Sequence, residues 1–324
     1  MTRKHATVAG VAQTTHQWWR MLLLPAAVLG MTWLPVTGMD LVRLQQAVNT
    51  RYGQEGADRV QQLQQQMARW ALLAERDKLV QVNDYVESIN QYTAGQFDGC
   101  TMTNMDALTI PAAGGVDSTA LIVSDFSNGN DGIVLKGEGK KVADLKGMDV
   151  NLVELSVSHY LLARALDSVD LTEKDLKVVN TSDADISAAF NTDQVNAVTT
   201  WNPMLSDIKA KPGVTEVFNS SQIPGEIIDL MVVNSATLKD NPAFGKALTG
   251  AWYEIMATMS ADTAAGKAAR EHMAKASGTD LAGYEAQLAV TKMFYSAKDA
   301  VAFATSPKLP ATMTKVAEFS FGHG

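Results

Sequence analysis

The segment VNLVELSVSHYLLARALDSVDL (150–171) shows the pattern on which the fold prediction rests. Its apolar run VNLVEL (150–155) predicts a buried strand, and residues 156–167 predict a helix for which Ser156 is a suitable N-cap. Similar apolar runs occur at 119–124, 132–136, 176–180, 195–200 and 227–234. Further helical patterns occupy 183–190, 203–209, 241–260, 263–275 and 281–294. This alternation predicts an α/β fold with mainly parallel sheets covered on both faces.

The composition excludes several classes of protein. The chain has 324 residues, is 46% hydrophobic and has a formal net charge of −8, which argues against a nucleic-acid binder. Its single cysteine, Cys100, cannot form an intrachain disulfide. The five histidines show no metal-ligand spacing, so we expect neither a structural metal nor a cofactor.

Three polar loops follow predicted strands or precede helices: TNMDA (103–107), ELSVSHY (154–160) and TTWNP (199–203). Ligands of parallel sheets bind at the carboxyl ends of strands, so these loops could converge on one small molecule. Ser156 and Asn202 could equally be plain helix caps, and His159 could serve a helix-start hydrogen bond. Trp201 is a candidate for a cleft wall or for the core.

Two segments are predicted to cross between lobes: DFSNGND (125–131) and SSQIPGEIID (220–229). The first is rich in Asn, Asp and Gly, which favour turns, and it links two predicted strands. Two such crossings predict a hinge on which the lobes close around a ligand.

The N-terminus has the features of an export segment. Arg3, Lys4 and Arg20 precede MLLLPAAVLGMTWLPVTGM (21–39), a run without charges. We interpret residues 1–39 as a signal peptide or membrane anchor, which predicts a periplasmic protein, with 21–39 as a tether to the inner membrane. Residues 40–83 are expected to form a helical segment, because Val60, Leu63, Met67 and Trp70 recur at helical spacing.

Residues 84–324 resemble the periplasmic substrate-binding proteins of nitrate/taurine-type ABC transporters, most closely a urea-type branch. The resemblance is carried by NDYVESINQYTAGQFDG (83–99), TNMDALTIPAAGGVDSTALIV (103–123), SNGNDGIVLK (127–136), LVELSVSHYLLARALDSVDL (152–171), VVNTSDADI (178–186), TTWNPMLSDI (199–208) and SSQIPGEIIDLMVVN (220–234). It implies a type II periplasmic binding protein fold without enzyme activity, which delivers a small ligand to a membrane permease. Binding lobe 1 would comprise 84–126 and 229–324, and binding lobe 2 would comprise 127–228.

The resemblance also implies a set of ligand-binding residues. They are Asn104, Asp106, Asn128, Glu154, Ser156, Ser158, His159, Trp201, Asn202 and Asp229. The quoted cleft loops contain the carboxylates of Asp106, Glu154 and Asp229 and no Arg or Lys. Carboxylates beside a tryptophan suit a planar cation, so we expect a guanidinium-type ligand first and urea second.

A second resemblance covers the preceding segment. RYG (51–53), RVQQLQQQM (59–67) and RDKLVQVNDYV (76–86) are similar to the N-terminal region of the bacterial transglutaminase-like cysteine proteinases, which act on surface adhesins. The sequence around Cys100, FDGCTMTN, departs from the nucleophile motif of that family. Cys100 and His159 could supply a nucleophile and a base, but no third group to orient them is evident.

The two resemblances meet near VQVNDYV (80–86), where a binding lobe would normally already have its first strand. We therefore expect the first lobe to lack its N-terminal strand, which would expose a sheet edge. A binding protein remains the leading hypothesis, with a cysteine proteinase or a non-binding fusion remnant as alternatives.

Overall fold

The computed structural model describes residues 6–11, 77–82 and 84–323. The predicted export run at 21–39 and the predicted helices within 40–76 lie outside these residues. None of the helices within the described ranges is both long and apolar enough to cross a bilayer.

The strands form two separate sheets. They are β1 (Ala6–Val11), β2 (Asp77–Val82), β3 (Gly99–Thr103), β4 (Ser118–Ser127), β5 (Asp131–Lys136), β6 (Asp149–Leu152), β7 (Lys177–Asn180), β8 (Ala197–Trp201), β9 (Val214–Asn219), β10 (Ile228–Asn234) and β11 (Thr291–Met293). The six-stranded sheet has the order β11-β4-β10-β3-β1-β2 and defines the first lobe. The five-stranded sheet has the order β7-β6-β8-β5-β9 and defines the second lobe. Both sheets mix parallel and antiparallel pairs.

Helices cover these sheets. They are α1 (Tyr85–Thr93), α2 (Asn104–Ala107), α3 (Val157–Asp167), α4 (Asp183–Phe190), α5 (Met204–Lys209), α6 (Ser235–Asp240), α7 (Pro242–Ser260), α8 (Ala264–Ala276), α9 (Leu281–Ala289), α10 (Ala297–Ala304) and α11 (Leu309–Gly322). A π-helical turn at Leu108–Ala112 extends α2. Most helices begin at a polar cap: Asp84 starts α1, Thr103 starts α2 and Ser156 starts α3.

The start of the first lobe differs from the sequence prediction. The lobe does not lack its N-terminal strand, because β1 lies between β2 and β3 and is parallel to both. Residues 77–82 are also not helical, since they form β2, whose residues are in register with those of β1. The segment DKLVQV is short, and Val80 and Val82 favour extended backbone. The predicted helical segment at 40–83 is therefore wrong at 77–82.

The chain crosses between the lobes at 127–131 and again at 219–228. The two crossings are hydrogen-bonded to each other: the Ser127 and Ser220 hydroxyls are 2.6 Å apart, and the Gly129 N–H donates to Ser220 Oγ at 2.7 Å. Gly129 has φ of 112°, a left-handed backbone that glycine adopts without strain. The crossings therefore behave as one paired connection.

Each lobe has its own apolar core. The second-lobe core includes Leu152, Leu161 and Phe218, and Val316 of the C-terminal helix α11 also belongs to it. Ile89, Tyr92, Cys100, Met102 and Val232 pack together in the first lobe. Full burial of such a side chain stabilises the fold by about 1.5–3 kcal/mol.

Candidate ligand-binding cleft

The lobes face each other through an aromatic pair. β8 ends at Trp201, and the Trp201 ring meets the Tyr85 ring edge-on, with centroids 5.7 Å apart. Trp201 is half-buried and packs against the apolar clusters of both lobes. It thus lies between the lobes, at the carboxyl end of a strand.

Asp106 is hydrogen-bonded to the Tyr85 member of this pair and is only 1% exposed. The Tyr85 hydroxyl donates to its Oδ2, and the Thr103 hydroxyl donates to the same oxygen at 2.6 Å. Its other oxygen, Oδ1, is buried without a hydrogen-bond partner. Burial raises the pKa of Asp106 to about 6, although the two hydroxyls oppose the shift. The carboxyl group is therefore half-ionised near pH 6 and has one oxygen free to accept a donor.

Three further carboxyl groups lie at the same end of the first lobe. Asp229 of β10 is opposite Asp125 of β4 in the strand register, and on its other side it is opposite Thr103. Two carboxylates at facing positions of neighbouring strands repel each other, which favours a proton on one of the two groups. Burial is the main cause that raises the pKa of both groups, and neighbouring carboxylates raise that of Asp229 further.

Asp131, at the start of β5, extends this group toward the second lobe. Its side chain accepts a hydrogen bond from the Ser127 hydroxyl within the first crossing. Burial raises its pKa to about 7, and the charges of Asp125 and Asp106 act in the same direction. We call Asp106, Asp125, Asp131 and Asp229 the acidic cluster.

Buried hydroxyls without partners lie on the second-lobe side. Ser158 Oγ is at the start of α3, and Thr199 Oγ1 and Thr200 Oγ1 are near the end of β8. A buried polar atom that forms no hydrogen bond costs about 1–3 kcal/mol. Thr199 and Thr200 are consecutive in β8, so their side chains lie on opposite faces of the sheet and only one of them can face the same region as Ser158. A polar ligand or water could supply the missing partners of such atoms.

Several predicted site residues brace the fold. The Asn104 amide is fully used, because its Oδ1 accepts from the Ile228 N–H at 3.0 Å and its Nδ2 donates to the Glu226 carbonyl at 3.1 Å. Ser156 caps α3, accepting from the Ser158 N–H at 3.2 Å. These contacts hold the return crossing and α3 in place.

The remaining predicted residues are placed as follows. Asn202 Oδ1 accepts from the Ser206 N–H of α5 at 3.0 Å, just before the N-cap residue Pro203. Glu154 and Asn128 are exposed, the first beside α3 and the second in the first crossing. Of the predicted site residues, Trp201 packs against clusters of both lobes, Asp106 and Ser158 are buried, and Glu154 faces solvent.

His159, at the start of α3, contacts the turn before β7 and the C-terminal region. Its Nδ1 accepts from the Leu155 N–H at 3.2 Å, and its Nε2 lies 3.1 Å from Glu173 Oε2. The ring also packs edge-on against Phe319 and His323 of the C-terminal region. These partners fix the orientation of the His159 ring.

Cys100 is not a reactive thiol in this fold. It is fully buried in the first-lobe core, and its Sγ is 3.6 Å from the Ser88 hydroxyl. Burial raises the pKa of the Cys100 thiol to about 12, so it stays protonated at neutral pH. It is separated from His159, which lies in the second lobe, and this arrangement does not form a nucleophile–base pair.

Three residues that the sequence analysis missed contribute to the region: Tyr85, Asp125 and Asp131. Tyr85 follows β2 directly, and reading 77–82 as a strand would have placed it at a strand's carboxyl end. Asp125 and Asp131 were interpreted as turn residues of the first crossing. Asp125 lies near the end of β4 and Asp131 at the start of β5. This position at strand ends could have indicated that both residues belong to the site.

Two lobes of mixed sheet, joined by a paired crossing and facing each other across polar strand ends, define the periplasmic binding protein fold. The sequence model of the NMT1/THI5-like family matches residues 77–259, more than half of the chain, and the chain belongs to this family. This match begins at β2 rather than at residue 84.

Solved structures share this fold. The alkanesulfonate-binding protein SsuA of Xanthomonas axonopodis, bound to MOPS, is 17% identical, with a TM-score of 0.63 over 98% of this chain and 96% of that chain. The periplasmic aliphatic sulphonate-binding protein SsuA of Escherichia coli is 18% identical, with a TM-score of 0.64 over 99% and 93%.

Curated relatives match over shorter stretches. A protein of Brucella abortus described as a binding protein is 27% identical over 139 residues, 42% of this chain and 43% of the relative. An Escherichia coli K12 protein named for binding aliphatic sulfonates is 40% identical over 75 residues, 23% of this chain and 24% of the relative. The matched stretches thus span less than half of either relative.

Proposed function

We propose that this protein is the solute-binding component of an ABC importer, working in the periplasm and delivering a small ligand to a membrane permease. The family and the fold support this role, since the similar proteins with known roles are named as binding proteins. We propose that the ligand is a planar nitrogen-rich cation of the guanidinium type, held between the lobes.

The observation that carries the ligand assignment is the free Oδ1 of Asp106, whose carboxylate is hydrogen-bonded to the Tyr85 member of the Tyr85–Trp201 pair. A guanidinium group has N–H donors in one plane, so it can donate to this oxygen while its face rests on an aromatic ring. The other carboxyl groups of the acidic cluster increase the attraction for a cation. A sulfonate, the ligand class for which the SsuA proteins are named, would meet repulsion wherever these groups are ionised.

Urea is the second candidate, because it has a similar shape and the unpartnered hydroxyls of Ser158 and Thr199 could donate to its carbonyl oxygen. The charge of the ligand distinguishes the two candidates. Ionised carboxylates increase the affinity for a guanidinium cation but add little to the affinity for neutral urea. The cysteine proteinase alternative receives no support from the buried thiol of Cys100.

Isothermal titration of the full chain with guanidine, urea, taurine and nitrate tests the proposal. We expect saturable heat with guanidine, with a much weaker affinity in Asp106→Asn and an unchanged affinity in Asp193→Asn, a matched control at an exposed aspartate. Binding of taurine or nitrate in preference to both nitrogen compounds would overturn the cation assignment. Absence of heat with all four ligands would contradict capture of this ligand class.

A further inference from the structure

The end of α11 brings a histidine to a second histidine and a glutamate of the second lobe. His159 is on α3, Glu173 lies in the turn that precedes β7, and His323 follows the last residue of α11. One potential ligand atom from each residue lies within 4.8 Å of the other two. The three residues come from separate segments, so their spacing in the sequence does not reveal the group. We call them the His–Glu–His cluster.

The distances within the cluster suit a shared metal ion. His159 Nε2 lies 3.1 Å from Glu173 Oε2, and His323 Nε2 lies 2.9 Å from Glu173 Oε1. Zn²⁺ binds histidine nitrogen and carboxylate oxygen at about 2.0–2.2 Å, so two ligand atoms of one tetrahedral ion are about 3.3 Å apart. The donor atoms are therefore near the spacing that one ion needs, and small side-chain rotations would complete it.

The buried nitrogen of His159 points to a ligand. The His159 side chain is 3% exposed, and its Nε2 forms no hydrogen bond of good geometry although Glu173 is close. A buried polar atom without a hydrogen-bond partner is unfavourable, and such atoms are rare in folded proteins. A metal ion between the two residues would give this nitrogen and the carboxylate a common partner.

His323 has the orientation of a metal ligand. Its Nδ1 is 2.8 Å from the Phe319 carbonyl oxygen, which can only accept, so Nδ1 carries a proton. In the neutral ring the lone pair is then on Nε2, the atom that faces Glu173. Metal-bound histidines commonly donate their other ring N–H to a backbone carbonyl in this way. The Phe319 ring also stacks on the imidazole, with centroids 4.1 Å apart.

His159 has to exchange one contact to bind a metal. Its Nδ1 accepts from the Leu155 N–H at 3.2 Å, which leaves the proton of a neutral ring on Nε2. Metal binding at Nε2 moves this proton to Nδ1, so the Leu155 N–H must turn away. Leu155 has φ of 61°, a left-handed backbone that is unfavourable for a residue with a side chain. A half-turn of the Glu154–Leu155 peptide would relieve this strain and direct the Glu154 carbonyl oxygen toward Nδ1.

We propose that the His–Glu–His cluster binds one Zn²⁺ ion, which fixes the end of α11 to the second lobe. The ligands are the Nε2 atoms of His159 and His323 and the Glu173 carboxylate, and the fourth position is open to water. On the first lobe, α11 is in contact through Met313 Sδ, 3.6 Å from Asn104 Nδ2. The ion therefore strengthens a connection that runs along α11 from one lobe to the other.

Isothermal titration of the chelator-treated full chain with ZnCl₂ tests the site. We expect saturable binding in the wild type and an affinity at least about tenfold weaker in both His159→Ala and His323→Ala, each of which removes one ligand. His272→Ala, which alters a histidine of α8 outside the cluster, should keep the wild-type affinity. Hydrogen exchange with and without ZnCl₂ measures the effect on the helix. Protection of residues 316–322 should increase at least threefold with Zn²⁺ in the wild type and stay constant in His323→Ala.

Three results would overturn the proposal. Absence of saturable Zn²⁺ binding in the wild type would show that the cluster is held by hydrogen bonds alone. An equal affinity in His323→Ala and the wild type would place the ion elsewhere on the chain. Zn²⁺ binding that leaves the exchange of residues 316–322 unchanged would refute the role of the ion in fixing α11.

Discussion

The most direct test of the cleft is the effect of Asp106→Asn on cation affinity. The substitution keeps the size of the side chain and an oxygen for the Tyr85 and Thr103 hydroxyls, but removes the charge. Asp106 is 1% exposed, so solvent screens little of its interaction with a bound cation. A hydrogen bond to a buried charged group contributes about 1.5–3 kcal/mol, so we expect the affinity to fall roughly ten- to hundredfold.

The pH dependence provides a second, sharper measure of the same interaction. The pKa of Asp106 is about 6, so proton and cation compete for its carboxylate below that value. Cation affinity should therefore rise with pH through 6 and level off above about 7. Competition at this single carboxyl predicts about tenfold weaker binding at pH 5 than at pH 8. In Asp106→Asn this part of the pH dependence should disappear.

Isothermal titration with guanidine between pH 5 and 8, in buffers of different ionisation enthalpy, measures both the affinity and the number of protons released. Asp193→Asn should reproduce the wild-type profile, because it alters an exposed aspartate. Affinity that increases toward pH 5, or that is the same in Asp106→Asn and wild type at every pH, would refute the reasoning. The first of these results would point to an anionic ligand.

Three further predictions follow from the same contacts. Trp201→Ala should weaken guanidine binding about tenfold through loss of the ring face, as measured by titration, and an unchanged affinity would place the ligand elsewhere. Asp131→Asn should raise the unfolding free energy at pH 8 by about 1–3 kcal/mol in urea melts. Because folding raises the pKa of Asp131 to about 7, the cost of its charge grows from about pH 4 to pH 7 and is complete above that range. The gain should vanish at pH 4, where the folded protein keeps the proton, and a loss at pH 8 would contradict the assignment. Asn104→Ala should destabilise the fold by about 1–3 kcal/mol, because the Ile228 N–H and the Glu226 carbonyl lose their partner, and a melting temperature equal to that of the wild type would show that water replaces the amide.

Much of the second lobe could be predicted from the sequence. The apolar run at 132–136 became β5 at Asp131–Lys136, and the run at 195–200 became β8 at Ala197–Trp201. Such buried strands are continuous apolar segments bounded by polar residues. This pattern can be recognised within a short window of the sequence. In contrast, β1 and β2 gain their structure from pairing with each other across more than sixty residues. No local pattern shows that pairing.

The site was predictable in part for a similar reason. Strand ends predicted the neighbourhood of Asp106 and Trp201: Trp201 ends β8 and packs against clusters of both lobes, and Asp106 is buried just after β3. The roles of Asn104 and His159 depend on partners far along the chain, Ile228 for one and Glu173 for the other. A polar side chain that could bind a ligand, judged from its own segment, can instead form its hydrogen bonds with a residue far away in the sequence.

The position of β10 in the first sheet has a consequence for biosynthesis. This strand lies between β4 and β3, yet the ribosome makes it only after the whole of β5–β9. The five strands of the second lobe are contiguous in sequence, so that sheet can assemble while the first still has a gap at its centre. Nascent chains that stop short of residue 228 should therefore expose the facing edges of β3 and β4, where chaperones or aggregation partners can attach.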